Sequence, residues 1–291
     1  MPSPLPVRAQ RAGTWAWLLL ALTAALATGC APASVLTAPA GIEPAAEIVF
    51  LDVHAAAAFL AMPGDMALIE LGNTPLRRAG VQVAFYPLVL LNLLDFRAPP
   101  TNYFHVEFVR DITPEQGLRT WGFSPILRSY HPDEYRNAGT YQIMRMKDFP
   151  AASAAALRRD ASAEYPRTGF CGDYVAWCFE DRIYSWWNRA PGLQRVLVNY
   201  WPPEAIHTGD HIAWSPDTTA ICRVVRGARF SPELVDAQYL AAEVARGVAS
   251  DHEAIRRHAA AVRARLIAAG ALDETGRAKA AVVRLRVPST P

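Results

Sequence analysis

The chain has 291 residues, of which 52% are hydrophobic and 19% are charged, and its formal net charge is +2. Arg8 and Arg11 are the charged residues of the N-terminal segment, and without them the formal charge is zero. This balance gives no global sign of nucleic-acid binding, and the roughly 240 residues beyond the N-terminal segments can bury one substantial core.

The N-terminal segment has the layout of a secretory signal peptide. A short basic region precedes an apolar run over 12–27, which is short for a membrane-spanning helix of about 20 residues. The small residues before Cys30 resemble the lipobox of bacterial lipoproteins, although a secreted protein with a chance cysteine is the alternative. We therefore predict a lipoprotein signal peptide over 1–29, lipidation of Cys30 and an Ala/Pro-rich tether over 30–46.

Three cysteines remain once Cys30 carries the lipid, and they are Cys171, Cys178 and Cys222. An odd number in an oxidising compartment implies at least one free thiol. Cys171 and Cys178 would lie about 10 Å apart along one helix, which is too far for a disulfide. We hypothesise that any bridge joins Cys178 to Cys222 and leaves Cys171 free.

The predicted elements mix strands and helices, which indicates an α+β fold. The most apolar stretch of the mature chain, 81–94, is interpreted as buried core, with a lipid-facing or substrate-facing patch as the alternative. The predicted strands are 47–53, 63–71 after a turn, 103–111, 117–123 and 140–146, and the predicted helices are 54–62, 151–165 and one from Cys171.

Residues 231–291 are predicted to form a C-terminal helical extension. Its first helix would start at Ser231-Pro232-Glu233, and a second, capped by Asp251, would end at Gly270. The second helix has one apolar face, made of Ile255, Ala259, Val262 and Leu266. Its four arginines are interpreted as a solvated face, with contact to anionic lipid as the alternative; they are Arg256, Arg257, Arg263 and Arg265.

Cys171 is the candidate nucleophile of the chain. It follows the breaker-rich segment YPRTGF and opens a predicted helix, whose N-terminus favours the thiolate and offers backbone N–H groups to an oxyanion. Cys178 lies two turns further into the same helix and has neither advantage. The alternative interpretation of Cys171 is a free, buried thiol.

A thiol hydrolase also needs a histidine within reach of the thiol. His105 lies in the middle of an apolar strand, and a period of two puts it on one face with Tyr103 and Glu107. A lone strand histidine is often structural, so its catalytic role depends on the other residues of the site.

The other histidines are weaker candidates. His252 and His258 are predicted to be surface groups of the C-terminal helices. His207 and His211 flank Gly209-Asp210, but no cysteine or acidic cluster with ligand spacing joins them. We therefore predict no metal and no cofactor.

Five segments in this order resemble the circularly permuted NlpC-type papain-fold hydrolases, the YiiX/YaeF-like group. They are PGDMALIEL, YFHVEFV, TYQIMRM, FCGDYVAWCF and YWPPEAI. The resemblance implies a papain-like domain over 47–230, with an antiparallel sheet packed against the helix that starts at the nucleophile. It places the nucleophile on Cys171, the general base on His105 and an acidic residue on Asp173.

The chain departs from this family in its third polar residue, which orients the histidine. Glu107 stands where the family favours Gly, and Gly172 replaces the usual Ser. Glu107 is the preferred candidate for the orienting role because it is a strand neighbour of His105 on the same face. Thr120, on the next predicted strand, is the alternative, and the third residue can also be absent.

A second segment order is less consistent with a complete site. HTGDHIAWSPD resembles the Gly-Asp strand of unpermuted NlpC-type and CHAP-type amidases, in which a histidine strand comes next. The following strand here is TAICRVV, which has Ala220 or Cys222 at that place and no histidine. The permuted order supplies both a thiol and a base.

These observations predict a lipid-anchored cysteine hydrolase on the periplasmic side of the bacterial cell envelope, acting through an acyl-enzyme. The resemblance implies a cell-wall peptide amide or a lipid acyl bond as substrate. The alternative is a catalytically inactive lipoprotein that keeps the fold as a binding or scaffolding module.

Overall fold

The computed structural model describes residues 33–70, 103–114, 117–124, 129–133, 135–138, 140–162, 171–180, 218–225 and 229–288. The strands are β1 Ala46–Val49, β2 Met66–Glu70, β3 Tyr103–Thr113, β4 Gly117–Ser124, β5 Ser129–Pro132, β6 Tyr141–Met146, β7 Thr218–Val225, β8 Arg229–Ser231, β9 Leu234–Asp236 and β10 Val282–Arg286. The helices are α1 Val53–Leu60, α2 Tyr135–Ala138, α3 Ala151–Ala161, α4 Cys171–Glu180, α5 Ala237–Val248 and α6 Glu253–Ala268.

A seven-stranded antiparallel sheet forms the centre of this α+β fold. Its strand order is β5-β4-β3-β2-β6-β7-β8, and the register pairs His105 with Ile69 and Phe108 with Trp121. The prediction of an α+β fold with an antiparallel sheet and helices is therefore confirmed. The predicted strands over 103–111, 117–123 and 140–146 correspond to β3, β4 and β6.

The two faces of the central sheet carry different helices. His54 on α1 stacks on Tyr141 of β6, whereas Phe179 on α4 packs edge-on against Phe108 of β3. By strand alternation, residues 105 and 107 lie on the face opposite to Phe108. His105 and Glu107 therefore lie on the α1 face of the sheet, and the described ring contact of α4 is on the other face.

A second sheet of three strands was not predicted. Its order is β1-β10-β9, with β1 parallel to β10 and β9 antiparallel to it. The predicted helical extension over 231–291 therefore also contributes two strands. Ser231-Pro232-Glu233 does not start a helix, because β9 follows it and pairs with β10; α5 begins at Ala237, and the Asp236 carboxylate accepts the capping hydrogen bonds.

The last predicted helix is largely as expected. Its apolar face of Ile255, Ala259, Val262 and Leu266 is buried, and Gly270 follows the helix end with a φ of 74°. Asp251 is not its cap, because the helix begins at Glu253 after His252, and Asp251 forms an exposed ion pair with Arg158 instead.

Part of the predicted tether over 30–46 is packed against the body of the protein. Leu36 is fully buried, Val35 N–H donates to the Ala220 carbonyl over 2.9 Å, and Ala38 N–H donates to the Leu234 carbonyl over 2.9 Å. Thr37 also forms an antiparallel bridge with Val235. This part of the segment is therefore not a free tether, because its backbone is hydrogen-bonded to both sheets.

Candidate active site

His105 lies near the start of β3, and its side chain is 10% exposed. Its Nε2 atom lies 3.6 Å from the Glu107 Oε1 atom. This distance is longer than a hydrogen bond, but it suits an ion pair once the imidazole is protonated. The two residues are therefore a histidine–carboxylate pair on one face of one strand, as the period of two predicted.

Glu107 is fully buried and is held by neutral donors in the part of the chain that the structure describes. Its Oε2 atom accepts a 2.6 Å hydrogen bond from the Thr120 hydroxyl and a 3.3 Å hydrogen bond from the Tyr135 backbone N–H. A buried carboxylate needs such donors, because its desolvation is costly. The other carboxylate oxygen of Glu107, Oε1, is the one that lies 3.6 Å from His105 Nε2.

Thr120 is itself fixed by the turn that follows β5. Its backbone N–H donates to the Asp133 carboxylate over 2.9 Å, and Asp133 N–H donates to the Thr120 carbonyl over 3.1 Å. Asp133 has a φ of 56°, a left-handed conformation that Asp tolerates better than most residues. The two alternatives for the orienting residue, Glu107 and Thr120, thus belong to one hydrogen-bonded group.

Gly122 on β4 provides the space for the imidazole ring. A Cβ atom at this position would lie 2.5 Å from His105 Nε2 and 2.7 Å from His105 Cε1. Contacts this short are not sterically possible without movement of the ring. Gly122 was not among the predicted site residues, although a glycine inside a strand pattern signals a close approach of this kind.

Cys171 is the first residue of α4, as predicted, but its side chain lies outside what the structure describes, as do those of Gly172 and Asp173. The helix contacts β3 and β4. Its ring contact through Phe179 is with Phe108, on the face opposite to His105. The described contacts therefore do not bring Cys171 to His105, and this pairing stays a prediction.

A second buried charged group lies beside the start of β2. Arg145 donates to both carboxylate oxygens of Asp65, at 2.9 and 2.8 Å, and to Glu243 at 2.9 Å. It also donates to the Leu60 carbonyl, and Asp65 accepts from Met62 N–H. This group joins β2, β6 and α5, and its Asp65 and Arg145 belong to the PGDMALIEL and TYQIMRM segments of the family resemblance.

Cys178 and Cys222 are both free and buried, so the hypothesised bridge between them is not present. The two thiols have different neighbours, because Cys178 lies near Asp160 on α3 and Cys222 lies near Asp65. Burial raises the pKa of both thiols well above the ordinary value. Neither is suited to act as a nucleophile, because the thiolate is the reactive form.

His258 is not the surface group that the sequence suggested. Burial lowers its pKa to about 4. His54, which was not selected, has its Nδ1 atom 2.9 Å from the Tyr141 hydroxyl, and burial lowers its pKa as well. His54 is therefore a packed group on the sheet.

The arginines of α6 are bound within the protein. Arg256 pairs with Glu253, and Arg257 lies 2.8 Å from Asp111. Arg263 and Arg265 donate to the carbonyls of Glu274 and Val49. Each of the four side chains thus has a partner within the protein, and both the solvated face and the contact with anionic lipid stay predictions.

Several predicted features lie outside the described residues. They are Cys30 and the signal peptide, the apolar run over 81–94, His207 and His211 with the Gly-Asp segment between them, and YWPPEAI. Among the described residues, no group of three or more His, Cys, Asp or Glu side chains could hold a metal ion. Within the same ranges, no helix is long and apolar enough to cross a membrane.

No family model, curated protein or solved structure matches the chain.

Proposed function

We propose that the protein is a lipid-anchored cysteine hydrolase of the cell envelope with a permuted NlpC-type, papain-like fold. The observation that carries the proposal is the His105–Glu107 pair, with the carboxylate fully buried and fixed by Thr120. A carboxylate in this position stabilises the imidazolium that forms when a histidine accepts a proton. The order of the sequence motifs supplies Cys171 as the nucleophile.

In the proposed mechanism the two nitrogens of the imidazole have different tasks. Nε2 lies on the side of Glu107 and Gly122, so Nδ1 is the nitrogen that would face the thiol. In the first step, Nδ1 takes the proton of the Cys171 thiol, and the thiolate attacks the carbonyl carbon of an amide or ester. The backbone N–H groups at the start of α4 would hold the oxyanion.

The remaining steps return the site to its starting state. The imidazolium gives its proton to the leaving amine or alcohol, and a thioester to Cys171 remains. His105 then takes a proton from water, the hydroxide attacks the thioester, the C–S bond breaks to release the carboxylic acid, and the imidazolium returns its proton to the Cys171 thiolate. We propose a cell-wall peptide amide or a lipid acyl bond as the scissile bond.

The proposal is tested by the rate of Cys171 alkylation with iodoacetamide against pH. We expect a thiolate well below the ordinary cysteine pKa of about 8.5, lost in His105→Ala. His54→Ala is the matched control, because it removes another packed histidine from the same sheet face and should leave the alkylation curve unchanged. A wild-type curve with an ordinary midpoint, unchanged in His105→Ala, would contradict the proposal.

A second candidate is a non-catalytic binding or scaffolding lipoprotein with the same fold. The observation that favours it is the ring contact of α4 with Phe108, on the sheet face opposite to His105. In this case the His105–Glu107–Thr120 group stabilises the sheet, and Cys171 is an ordinary thiol. The same alkylation experiment separates the two candidates.

A further inference from the structure

The packed segment 34–38 links the N-terminal part of the chain to a fixed place on the protein. Val35 N–H and the Ser34 hydroxyl bond to the carbonyls of Ala220 and Ile221 on β7. This is the part of β7 that β8 does not cover, because β8 pairs only with residues 223–225. The segment then continues along β9 through Thr37.

The segment is attached by a buried side chain and by backbone hydrogen bonds. Leu36 is fully buried, so its side chain is removed from water. Backbone hydrogen bonds join the segment to Ala220, Leu234 and Asp236. Release of the segment would expose Leu36 and break these hydrogen bonds.

The predicted lipid on Cys30 is then attached by a very short connection. Whatever their conformation, the residues from Cys30 to Ser34 span at most about 14 Å, since a fully extended chain advances about 3.5 Å per residue. The seven-stranded sheet is about 29 Å wide at 4.8 Å per strand. The connection from Cys30 to Ser34 is therefore at most about half as long as the sheet is wide.

We infer that the surface around residues 33–38 and the β8–β9 connection lies against the lipid bilayer, and that the protein does not move freely on a long tether. This inference rests on the lipid anchor of the proposed function. It fixes the edge of the sheet at β7 and β8 towards the membrane and the edge at β4 and β5 away from it. The site on β3 is therefore held at a constrained height above the bilayer.

The test uses the lipidated full-length protein in phosphatidylethanolamine/phosphatidylglycerol vesicles that contain a headgroup nitroxide lipid. A fluorescent label is placed through Glu233→Cys, beside the packed segment, or through Arg119→Cys, an exposed position on β4 four strands from β7. Both variants carry Cys171→Ser, while Cys178 and Cys222 are buried and react slowly. We expect the label at 233 to be quenched at least threefold more than the label at 119.

A spacer variant provides the matched control. Twenty Gly/Ser residues inserted between Pro32 and Ala33 add about 25 Å of flexible chain and should remove most of the difference between the two labels. Equal quenching of both labels without the spacer would overturn the inference while leaving the lipid anchor in place.

The hydrolase proposal can fail independently of this inference, whereas failure of the anchor would overturn it as well. Flotation of the wild type with vesicles, lost in Cys30→Ser, establishes the anchor; a wild type that does not float would overturn both the anchor and the membrane-facing surface. The hydrolase proposal is tested on Cys171 alkylation in soluble protein, so neither of these outcomes bears on it.

Discussion

Two buried carboxylates of the same sheet have different surroundings. Asp65 is held by a guanidinium, because Arg145 donates to both of its oxygens. Glu107 is equally buried, but its described donors are a hydroxyl and a backbone N–H, and its other oxygen lies towards His105. An arginine keeps its charge at all accessible pH values, whereas a histidine gains and loses a proton near neutrality.

This difference separates a structural group from a candidate for proton transfer. In the Asp65 group, every charge has an opposite and permanent partner, so its role is to join β2, β6 and α5. In the Glu107 group, the neighbouring His105 carries an opposite charge only when its imidazole is protonated. Burial alone would not have distinguished the two, because both side chains have 0% exposure.

The largest expected effect is on the Asp65 group. Arg145→Leu leaves Asp65 buried without its cation, while Glu243 keeps Arg246, and breaking a buried ion pair in this way costs about 3–5 kcal/mol of the free energy of unfolding. The measurement is urea denaturation followed by circular dichroism. Arg158→Leu is the control, because it removes an exposed pair with Asp251 and should cost at most about 1 kcal/mol.

Gly122→Ala breaks the Glu107 group without changing a charge. The new methyl group would overlap His105 Nε2, and overpacking of this kind costs about 1–3 kcal/mol. If the site is catalytic, the displaced imidazole also abolishes the low-pH alkylation of Cys171. Gly247→Ala is the matched control, because its methyl group would meet Ala259 at 2.7 Å, between α5 and α6. It should lower stability and leave alkylation unchanged.

Local patterns predicted the elements that depend on neighbouring residues. The alternation of YFHVEFVRD is sufficient for β3 and for the shared face of His105 and Glu107, because side-chain direction in a strand has a period of two. The second sheet could not be predicted in this way. It pairs β1 with β10, whose residues Ala46 and Val283 are far apart in sequence and become partners only through the fold.

The candidate site shows the same limit. The predicted strands were enough to propose Glu107 and Thr120 as alternatives for the orienting residue. The 2.6 Å hydrogen bond that joins the two side chains could not be predicted from them. The role of Tyr135 depends on atoms of another segment, so no local pattern signals it, and a glycine within a strand signals a close approach without saying that the His105 ring makes it. The prediction of a Cys178–Cys222 bridge was wrong for the same reason. It came from excluding the other pairs of cysteines, which gives no information on the distance between these two thiols.

Glu107→Gln sharpens the comparison by removing the charge and keeping the size. Without the carboxylate the imidazolium is less stable, so the midpoint of Cys171 alkylation should move about one unit to higher pH. Glu243→Gln, in the Asp65 group, should lower thermal stability and leave this midpoint unchanged. Thr120→Val keeps the charge of Glu107 and should give a smaller shift than Glu107→Gln. Equal midpoints in wild type and Glu107→Gln would assign Glu107 a purely structural role.

The last expected effect is on the pH dependence of stability and concerns His258, a neutral histidine near the Asp65 group. Burial lowers its pKa to about 4, and the nearby Arg145 charge acts in the same direction. The unfolded chain has a histidine pKa of about 6.5, so between pH 6.5 and 4 it binds a proton that the folded protein does not. The free energy of unfolding therefore falls as the pH falls through this range, by up to about 1.4 kcal/mol per pH unit.

His258→Leu should remove this part of the pH dependence. We expect the variant to lose less melting temperature than the wild type between pH 7 and pH 4.5, whatever its stability at pH 7, because only the slope reports the proton. His252→Leu is the control: burial also lowers the pKa of His252, but this side chain is near the surface at the start of α6, so its removal should change the slope less. A slope in His258→Leu equal to that of the wild type would mean that His258 binds its proton equally well in the folded and unfolded chains.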